Sequence, residues 1–123
     1  MAGTDNRLLA AGALLAGLGV ALGAFGAHAL RDTLSPAAMG WWQTGIQYQM
    51  WHAIALVALA ALPAQRVRLP AAMLGIGALI FSASLCAMAL TGARWLGAVT
   101  PIGGALMILG WGLLAVRALR ARD

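Results

Sequence analysis

The sequence predicts an all-α polytopic membrane protein, an antiparallel four-helix transmembrane bundle with both termini in the cytoplasm. Apolar residues make up 63% of the 123 positions and charged residues only 9%, against about 25% charged in an ordinary soluble domain. A soluble chain this short could not bury so much apolar surface. The sparse charges separate four apolar stretches, each close to the roughly 20 residues that cross a bilayer. We interpret residues 1–123 as a single domain.

The first stretch predicts a helix over about residues 8–30, between Arg7 and the pair Arg31 and Asp32. Residues 27–29, with the sequence AHA, imitate the cleavage site of a secretory signal peptide. The apolar run is too long for such a peptide, which uses about 7–15 apolar residues. We therefore expect this segment to be retained as the first transmembrane helix.

The second helix is predicted over about residues 36–62. Ser35 and Pro36 are a start signal, because a serine side chain caps free amide groups and proline fits the first helical turn. Pro63 marks the end, since proline cannot continue a helix without losing a hydrogen bond. A short turn should follow.

The third and fourth helices are predicted from the same signals. Pro70 is expected to open the third helix, over about residues 70–90. Thr100 and Pro101 repeat the combination of cap and proline, and they predict a fourth helix over about residues 101–116. All connections are short, which favours antiparallel neighbours.

The arginines predict the orientation. With four crossings, six of the eight lie on the side of the termini: Arg7, Arg66, Arg68, Arg117, Arg120 and Arg122. Only Arg31 and Arg94 lie on the other side. Because cytoplasmic loops carry the excess of positive charge, this side is expected to be the cytoplasm.

Charge and cysteine content exclude several classes of function. The net charge of +5 is spread singly over the ends of apolar runs, so no basic face exists that could follow a nucleic acid. Attraction to anionic lipid headgroups explains these charges better, and membrane lipids are the expected partners. Cys86 is the only cysteine, so no intrachain disulfide can form, and we interpret it as a buried small residue.

Small residues recur at helical spacing and predict close helix crossings, which van der Waals contact stabilises in lipid. The first helix carries Gly12, Ala16, Gly19, Gly23 and Ala27 on one face. The third carries Gly75, Ala78, Ser82, Cys86 and Ala89. In the fourth, Gly103 and Gly110 are one heptad apart. The alternative is a pore or lipid groove lined by exposed backbone.

Polar residues at membrane depth are costly and therefore candidates for function. Most lie toward the outer half, and the candidate cluster is His28, Arg31, Asp32, Gln47, Tyr48, Gln49, His52, Arg94 and Thr100. His52 lies about 15 Å along the axis from the cytoplasmic helix end, so it needs a partner. These residues could form hydrogen bonds between helices, line a site for a lipid, solute or ion, or, for the two histidines, ligate a metal or haem.

Catalysis is disfavoured. Asp32 is the only acidic residue outside the tails, so paired-carboxylate chemistry within one chain is excluded. Ser82 and Ser84 have no histidine nearby in the sequence that could activate them. We expect a protein that is not an enzyme and has no cofactor or bound metal.

Four ordered motifs resemble one family over essentially the whole chain. They are GAFGAHAL at residues 23–30, TGIQYQMWHA at 44–53, FSASL at 81–85, and TPIGG at 100–104 followed by Gly110-Trp111. The family is domain of unknown function 423, which is similar to vertebrate transmembrane protein 256. Ala83 departs from a common glycine, and Cys86 from a common aromatic residue. The resemblance implies a four-helix protein of the bacterial inner membrane, with no established activity, substrate or cofactor.

The expected function is therefore non-enzymatic binding of a lipid, small molecule or partner helix near the outer leaflet. The alternative is a small oligomeric channel or transporter, lined by the glycines of the first helix and the polar residues around His52. A homo-oligomer is compatible with either function.

Overall fold

The computed structural model describes residues 3–121, and the protein is helical over most of that range. The long helices are α1 (Asn6–His28), α2 (Pro36–Leu59), α3 (Ala64–Thr91) and α4 (Thr100–Arg120). A short 3-10 helix, Arg94–Ala98, precedes α4. The part of the chain that is described contains no strand. The all-α class predicted from the sequence is confirmed.

Three helical segments are long and apolar enough to cross a membrane: α1, α3, and the continuous segment from Arg94 to Arg120 that contains α4. Helix α2 has 24 residues but is not among them. Its sequence explains the difference, because six polar side chains fall within ten positions. These are Gln43, Thr44, Gln47, Tyr48, Gln49 and His52.

Two helix starts have side-chain caps. The Ser35 hydroxyl accepts a hydrogen bond from the Ala38 amide at 3.1 Å, as the serine-proline signal predicts. Helix α1 begins at Asn6, two residues earlier than predicted, because the Asp5 carboxylate caps the Leu8 amide at 3.1 Å. The Asp5 amide also donates to the carbonyl of Ala60 just beyond α2, which ties the two helix ends together.

The prediction that Pro70 opens the third helix is wrong, since α3 begins at Ala64 and Pro70 is buried within it. Proline has no amide hydrogen, so the carbonyl four residues earlier loses its partner in the helix. That carbonyl belongs to Arg66, and the guanidinium of Arg117 on α4 lies 3.4 Å from it as a donor. A side chain from another helix therefore supplies the missing hydrogen bond.

The prediction that Thr100 caps the fourth helix is also wrong. Thr100 is the first residue of α4, and no side chain caps this helix start. The hydroxyl of Thr100 instead contacts the carbonyl of Leu96, in the preceding 3-10 helix, at 3.3 Å. The 3-10 helix leads directly into α4, and the amide of Val99 between them donates to the carbonyl of Leu96 at 3.0 Å.

The helices pack in the order of the chain. Within residues 3–121, α1 packs on α2, α2 on α3, and α3 on α4, whereas α1 and α4 share no comparable interface. The main core lies between α2 and α3 and includes Leu56, Leu74 and Ala78. Few residues of the outer helices are buried, about 17% of those in the apolar window of each. The fold is thus an open row rather than a closed ring.

Small residues make these interfaces, as predicted. The buried positions of α1 are Gly12, Gly19 and Gly26, each one heptad from the next. They face Val57, Met50 and Trp42 of α2, respectively. The predicted stripe is therefore only partly right, because Gly26 takes the place expected for Ala27, which is exposed.

The α3–α4 interface is similarly close. A Cβ atom on Gly103 would lie 2.5 Å from the carbonyl oxygen of Gly77 and 2.6 Å from the amide of Phe81. A Cβ atom on Gly110 would lie 3.0 Å from the side chain of Leu74. Both predicted α4 contacts are therefore confirmed, and the close contact explains why glycine is needed there.

Candidate functional site

The nine candidate polar residues do not form one cluster. Five of them are exposed: His28, Arg31, Asp32, Gln47 and Arg94. Gln49 and His52 are buried, with 2% and 5% of their surface accessible. Tyr48 and Thr100 are half-buried. The buried residues hydrogen-bond to different neighbouring helices, so the predicted single site divides into separate contacts.

His52 is held at both ring nitrogens. Its Nδ1 lies 2.7 Å from the carbonyl oxygen of Tyr48, which can only accept, so Nδ1 is the donor. Its Nε2 then accepts from the indole N–H of Trp111 on α4 at 3.1 Å. The two contacts assign one neutral tautomer and leave no free lone pair on the ring. Metal or haem ligation would require the bond to Trp111 to break.

Gln49 and Trp42 bind the opposite neighbour, α1. The Gln49 side-chain amide donates to the carbonyl of Leu15 at 2.9 Å. The Trp42 indole donates to the carbonyl of Leu22 at 3.1 Å. Both acceptors are backbone groups that the glycine contacts bring within reach. Gln49 and His52 therefore point to different helices, although they are only three residues apart.

Thr100 forms a third, separate contact. Its hydroxyl lies 2.7 Å from that of Ser84 on α3, which also donates to the carbonyl of Phe81 at 2.9 Å. This pair joins the start of α4 to α3. Across residues 3–121, every fully buried side-chain nitrogen or oxygen has a hydrogen-bond partner. The interhelical hydrogen bonds foreseen as one use of the polar residues are thus present at Gln49, His52 and Thr100.

A groove lies beside His52, between α2 and α4, with α3 beneath it. We call it the aromatic groove, and its volume is about 410 Å³. Its lining residues are Tyr48, Trp51, His52, Phe81, Gly104, Met107, Ile108 and Trp111. Ligand sites in proteins typically occupy about 300–1,000 Å³ and are mostly apolar with a few polar groups. The aromatic groove fits this description.

Tyr48 is the central ring of the groove. Its ring centroid lies 4.7 Å from that of Phe81 and 5.0 Å from that of Trp51, both in tilted arrangements that aromatic pairs prefer. It is also stacked on His52 at 6.4 Å. The Tyr48 hydroxyl forms no hydrogen bond with any residue that the structure describes, so a donor remains available in an otherwise apolar site.

Only part of this groove was predicted from the sequence. Tyr48 and His52 were candidates because they are polar at membrane depth. Phe81, Gly104 and Trp111 belong to the family motifs, but apolar residues in a membrane helix carry no local signal of function, so the sequence alone does not indicate that they line a site. Their position beside α2 depends on the α3–α4 packing.

The other predicted site residues lie elsewhere. Gln47 lines a smaller cavity of about 250 Å³ between α1 and α2, beside Gln43 and Trp42. Of the first-helix glycines expected to line a pore, Gly12 and Gly19 are covered by α2, whereas Gly23 lies at this smaller cavity. These contacts offer no support for a pore through a single chain.

Comparison with known proteins places the chain in a family. The family model described as "Protein of unknown function (DUF423)" matches residues 22–104. The chain belongs to this family. The match includes Tyr48, His52 and Phe81 but ends before Trp111.

Relatives in the family cover nearly the full chain. "UPF0382 inner membrane protein YgdD" of Escherichia coli strain K12 is 38% identical over 123 residues, covering 97% of this chain and 94% of the relative. A "UPF0382 membrane protein" of Haemophilus influenzae is 42% identical, covering 96% and 98%. One from Staphylococcus epidermidis is 42% identical, covering 89% and 92%. No solved structure matches the chain significantly. The names of these relatives agree with the membrane class predicted for the family.

Proposed function

We propose that this protein is a non-enzymatic integral membrane protein that holds one uncharged lipid chain in the aromatic groove. The observation that carries the proposal is the groove itself: about 410 Å³ of apolar space with a single unpaired hydroxyl. The lining residues carry no full charge, since His52 is held as a neutral ring. An uncharged chain with one hydrogen-bond acceptor near Tyr48 would satisfy that hydroxyl without a desolvation penalty.

The groove also has the position that a lipid ligand requires. Gly104 and Trp111 lie four and eleven residues beyond Thr100, which is about 6 and 16 Å along α4. The groove thus extends from one membrane half toward the middle of the bilayer. Because α2 and α4 share no extensive interface, a chain could enter sideways from the lipid. A catalytic role has no comparable support, since His52 already uses both nitrogens.

The proposal includes a topology of four antiparallel crossings with both termini in the cytoplasm of a bacterial inner membrane. The contacts of α1 with α2 run in reverse order, from Gly12 near Val57 to Gly26 near Trp42, which supports an antiparallel pair. Helix α2 would cross although it is less apolar, because Gln49 and His52 hydrogen-bond to neighbouring helices rather than face lipid. The arginine distribution supports the orientation.

Photo-crosslinking with a hexadecanol that carries a diazirine in its chain tests the ligand. The probe should label residues that line the groove in the wild type. Gly104→Leu should abolish most of this labelling, because a Cβ atom there has room, at 4.0 Å from Phe81, and the longer side chain fills the groove. Gly112→Leu is the matched control, since Gly112 has nothing within 4 Å and does not line the groove.

Tyr48→Phe should weaken labelling by about fivefold through loss of one hydrogen bond. Labelling spread equally over the exposed faces of α1 and α4, and insensitive to Gly104→Leu, would show that the groove holds only bulk lipid.

Accessibility to a thiol reagent tests the topology. A membrane-impermeant maleimide should label Gln65→Cys, made in a Cys86→Ala background, only after the cells are opened. Labelling in intact spheroplasts would contradict the orientation.

A further inference from the structure

A second concave surface lies at the opposite end of the molecule, where α1 begins and α4 ends. It has two adjoining lobes that share Arg68 and Ala72, with volumes of about 700 and 430 Å³. We call it the basic depression. The larger lobe is lined by Ala64, Gln65, Arg68, Leu69, Ala72 and Arg117. The smaller is lined by Asp5, Arg7, Leu8, Arg68 and Ala72.

The open row of helices creates this surface. Because α1 and α4 do not pack against each other, one face of α3 remains uncovered between their ends. That face is apolar beyond Arg68. Leu69, Ile76 and Leu79 are 52%, 53% and 45% exposed, and their spacing of seven and three residues places them on one side of the helix. An apolar strip therefore runs from the basic depression along α3.

The depression carries an excess of positive charge. Three arginines line it, against the single carboxylate of Asp5. The guanidinium of Arg68 is paired with that carboxylate at 3.2 Å, yet the Arg68 side chain is 73% exposed. Each guanidinium has five N–H donors, and Arg68 and Arg117 use only two and one of them, respectively, in the described contacts. Donors remain free for an anion.

The beginning of α3 adds to this field. No side chain caps the first turn of α3, which follows Pro63, and Ala64 and Gln65 of that turn line the larger lobe. The amide end of a helix carries a partial positive charge. Arg117 is positioned here by the carbonyl that Pro70 leaves unpaired, so the proline in α3 helps to place a cation at the rim.

We propose that the basic depression binds the headgroup of an anionic phospholipid, with Arg68 and Arg117 on its phosphate and an acyl chain along Leu69, Ile76 and Leu79. Charge complementarity and the continuous apolar strip both favour a lipid over a free phosphate, which would leave the strip uncovered. Two lobes, each with its own arginine and sharing Arg68, suit a headgroup with two phosphates. Diphosphatidylglycerol is therefore the expected ligand of highest affinity, as for other basic pockets between membrane helices.

This site differs from the aromatic groove in ligand charge, in position and in every lining residue. Its test is therefore independent of the proposed function. The full chain in a mild non-ionic detergent is titrated with diphosphatidylglycerol, phosphatidylethanolamine or inorganic phosphate and followed by native mass spectrometry. One diphosphatidylglycerol should bind per chain, in preference to the zwitterionic lipid, and millimolar phosphate should not displace it.

Variants locate the binding site. Arg68→Gln and Arg117→Gln should each weaken diphosphatidylglycerol binding about fivefold, the effect of one arginine near an anionic lipid. Arg120→Gln is the matched control, because Arg120 is exposed at the same end but does not line either lobe. It should change the affinity less than twofold. Arg117 also bonds to the carbonyl of Arg66, so its substitution can affect the fold. If Arg117→Gln lowers the melting temperature, the affinity of Arg68→Gln alone tests the binding site.

Asp5→Asn should act in the opposite direction. Asparagine preserves the cap on α1 but releases Arg68 from its ion pair, so binding of diphosphatidylglycerol should strengthen by about two- to fivefold. An equal loss in Arg68→Gln and Arg120→Gln would overturn the proposal, because it would indicate only general surface charge. Complete displacement by inorganic phosphate, or equal binding of phosphatidylethanolamine, would overturn it as well.

Discussion

The two sides of α2 both carry buried polar and aromatic residues, but one side packs closely against its neighbouring helix and the other borders a groove. On the side of α1, Gln49 and Trp42 donate hydrogen bonds to backbone carbonyls across a close interface. On the side of α4, His52 accepts from the indole of Trp111, and a groove of about 410 Å³ remains beside it. We call the α1 side the closed side, because glycine contacts leave only a smaller cavity of about 250 Å³ there, and the α4 side the open side, because aromatic rings line its larger groove.

The difference comes from the residues opposite α2. The α1 positions that face it are glycines, so the α1 backbone approaches closely enough for its carbonyls to serve as acceptors. The facing α4 residue is Trp111, whose ring centroid lies 5.9 Å from that of His52. A large ring reaches across the gap and prevents close approach. Buried polar residues alone therefore do not distinguish a packing contact from a site.

The largest expected loss of stability comes from a substitution on the closed side, at the interface between α1 and α2. In Gly12→Ala, the added Cβ atom would lie 2.9 Å from the carbonyl of Ala53 and from the amide of Val57, both backbone groups that cannot move aside. We expect a loss of about 3 kcal/mol in the free energy of unfolding. Thermal unfolding in mild detergent measures it.

The matched control is Gly17→Ala, on the same helix with nothing within 4 Å. It should leave the melting temperature unchanged or raise it slightly, because alanine favours the helix. If both variants behaved alike, close contact with α2 would not be what requires glycine at position 12.

On the open side, His52→Ala should lower the free energy of unfolding by about 2 kcal/mol, since the Trp111 indole loses its acceptor within the membrane. Trp111→Phe should cost less, because phenylalanine keeps an aromatic ring beside His52, whereas His52→Ala removes a whole ring as well as the acceptor. Melting temperatures in the same detergent compare the two. An unchanged value for His52→Ala would mean that the histidine is not needed for packing.

A smaller effect is expected for Gln49→Leu, about 1 kcal/mol, because interhelical hydrogen bonds in membranes contribute little each and leucine leaves no buried donor unpaired. Gln47→Leu is the control, since Gln47 is exposed. Both are measured as melting temperatures in detergent. If Gln49→Leu lowered the melting temperature more than His52→Ala does, the closed side, and not the open side, would depend more on its polar contact.

The smallest effect concerns pH at the helix ends. The Leu8 amide hydrogen bond, together with the Arg68 guanidinium, holds the pKa of Asp5 below its ordinary 3.8, although partial burial opposes this shift. The ionised form stabilises the fold, so its contribution is complete well above pH 3.8 and is lost as the pH falls through the lowered pKa. The melting-temperature advantage of wild type over Asp5→Asn should therefore shrink between about pH 5 and pH 3. A constant difference would contradict this linkage.

Much of the fold could be predicted because the signals are local. The Ser35 cap and the small-residue spacing of α1 act within a few residues; the cap is confirmed, and the spacing is confirmed at Gly12 and Gly19. The errors at Pro70 and Thr100 have a tertiary cause. Pro70 is tolerated inside α3 where Arg117, from a different helix, lies beside the unpaired carbonyl. The Thr100 hydroxyl pairs with that of Ser84 on α3 rather than capping its own helix start.

By itself, the sequence determined the all-α class, the apolar segments and the small-residue contact faces, since composition and periodicity are properties of one segment at a time. Only the tertiary structure decided which polar residues meet. His52 and Trp111 are 59 positions apart, and the open α3 face exists because α1 and α4 remain separate. Partners supplied by other helices leave no local pattern, so the aromatic groove and the basic depression become visible only once the helices are packed.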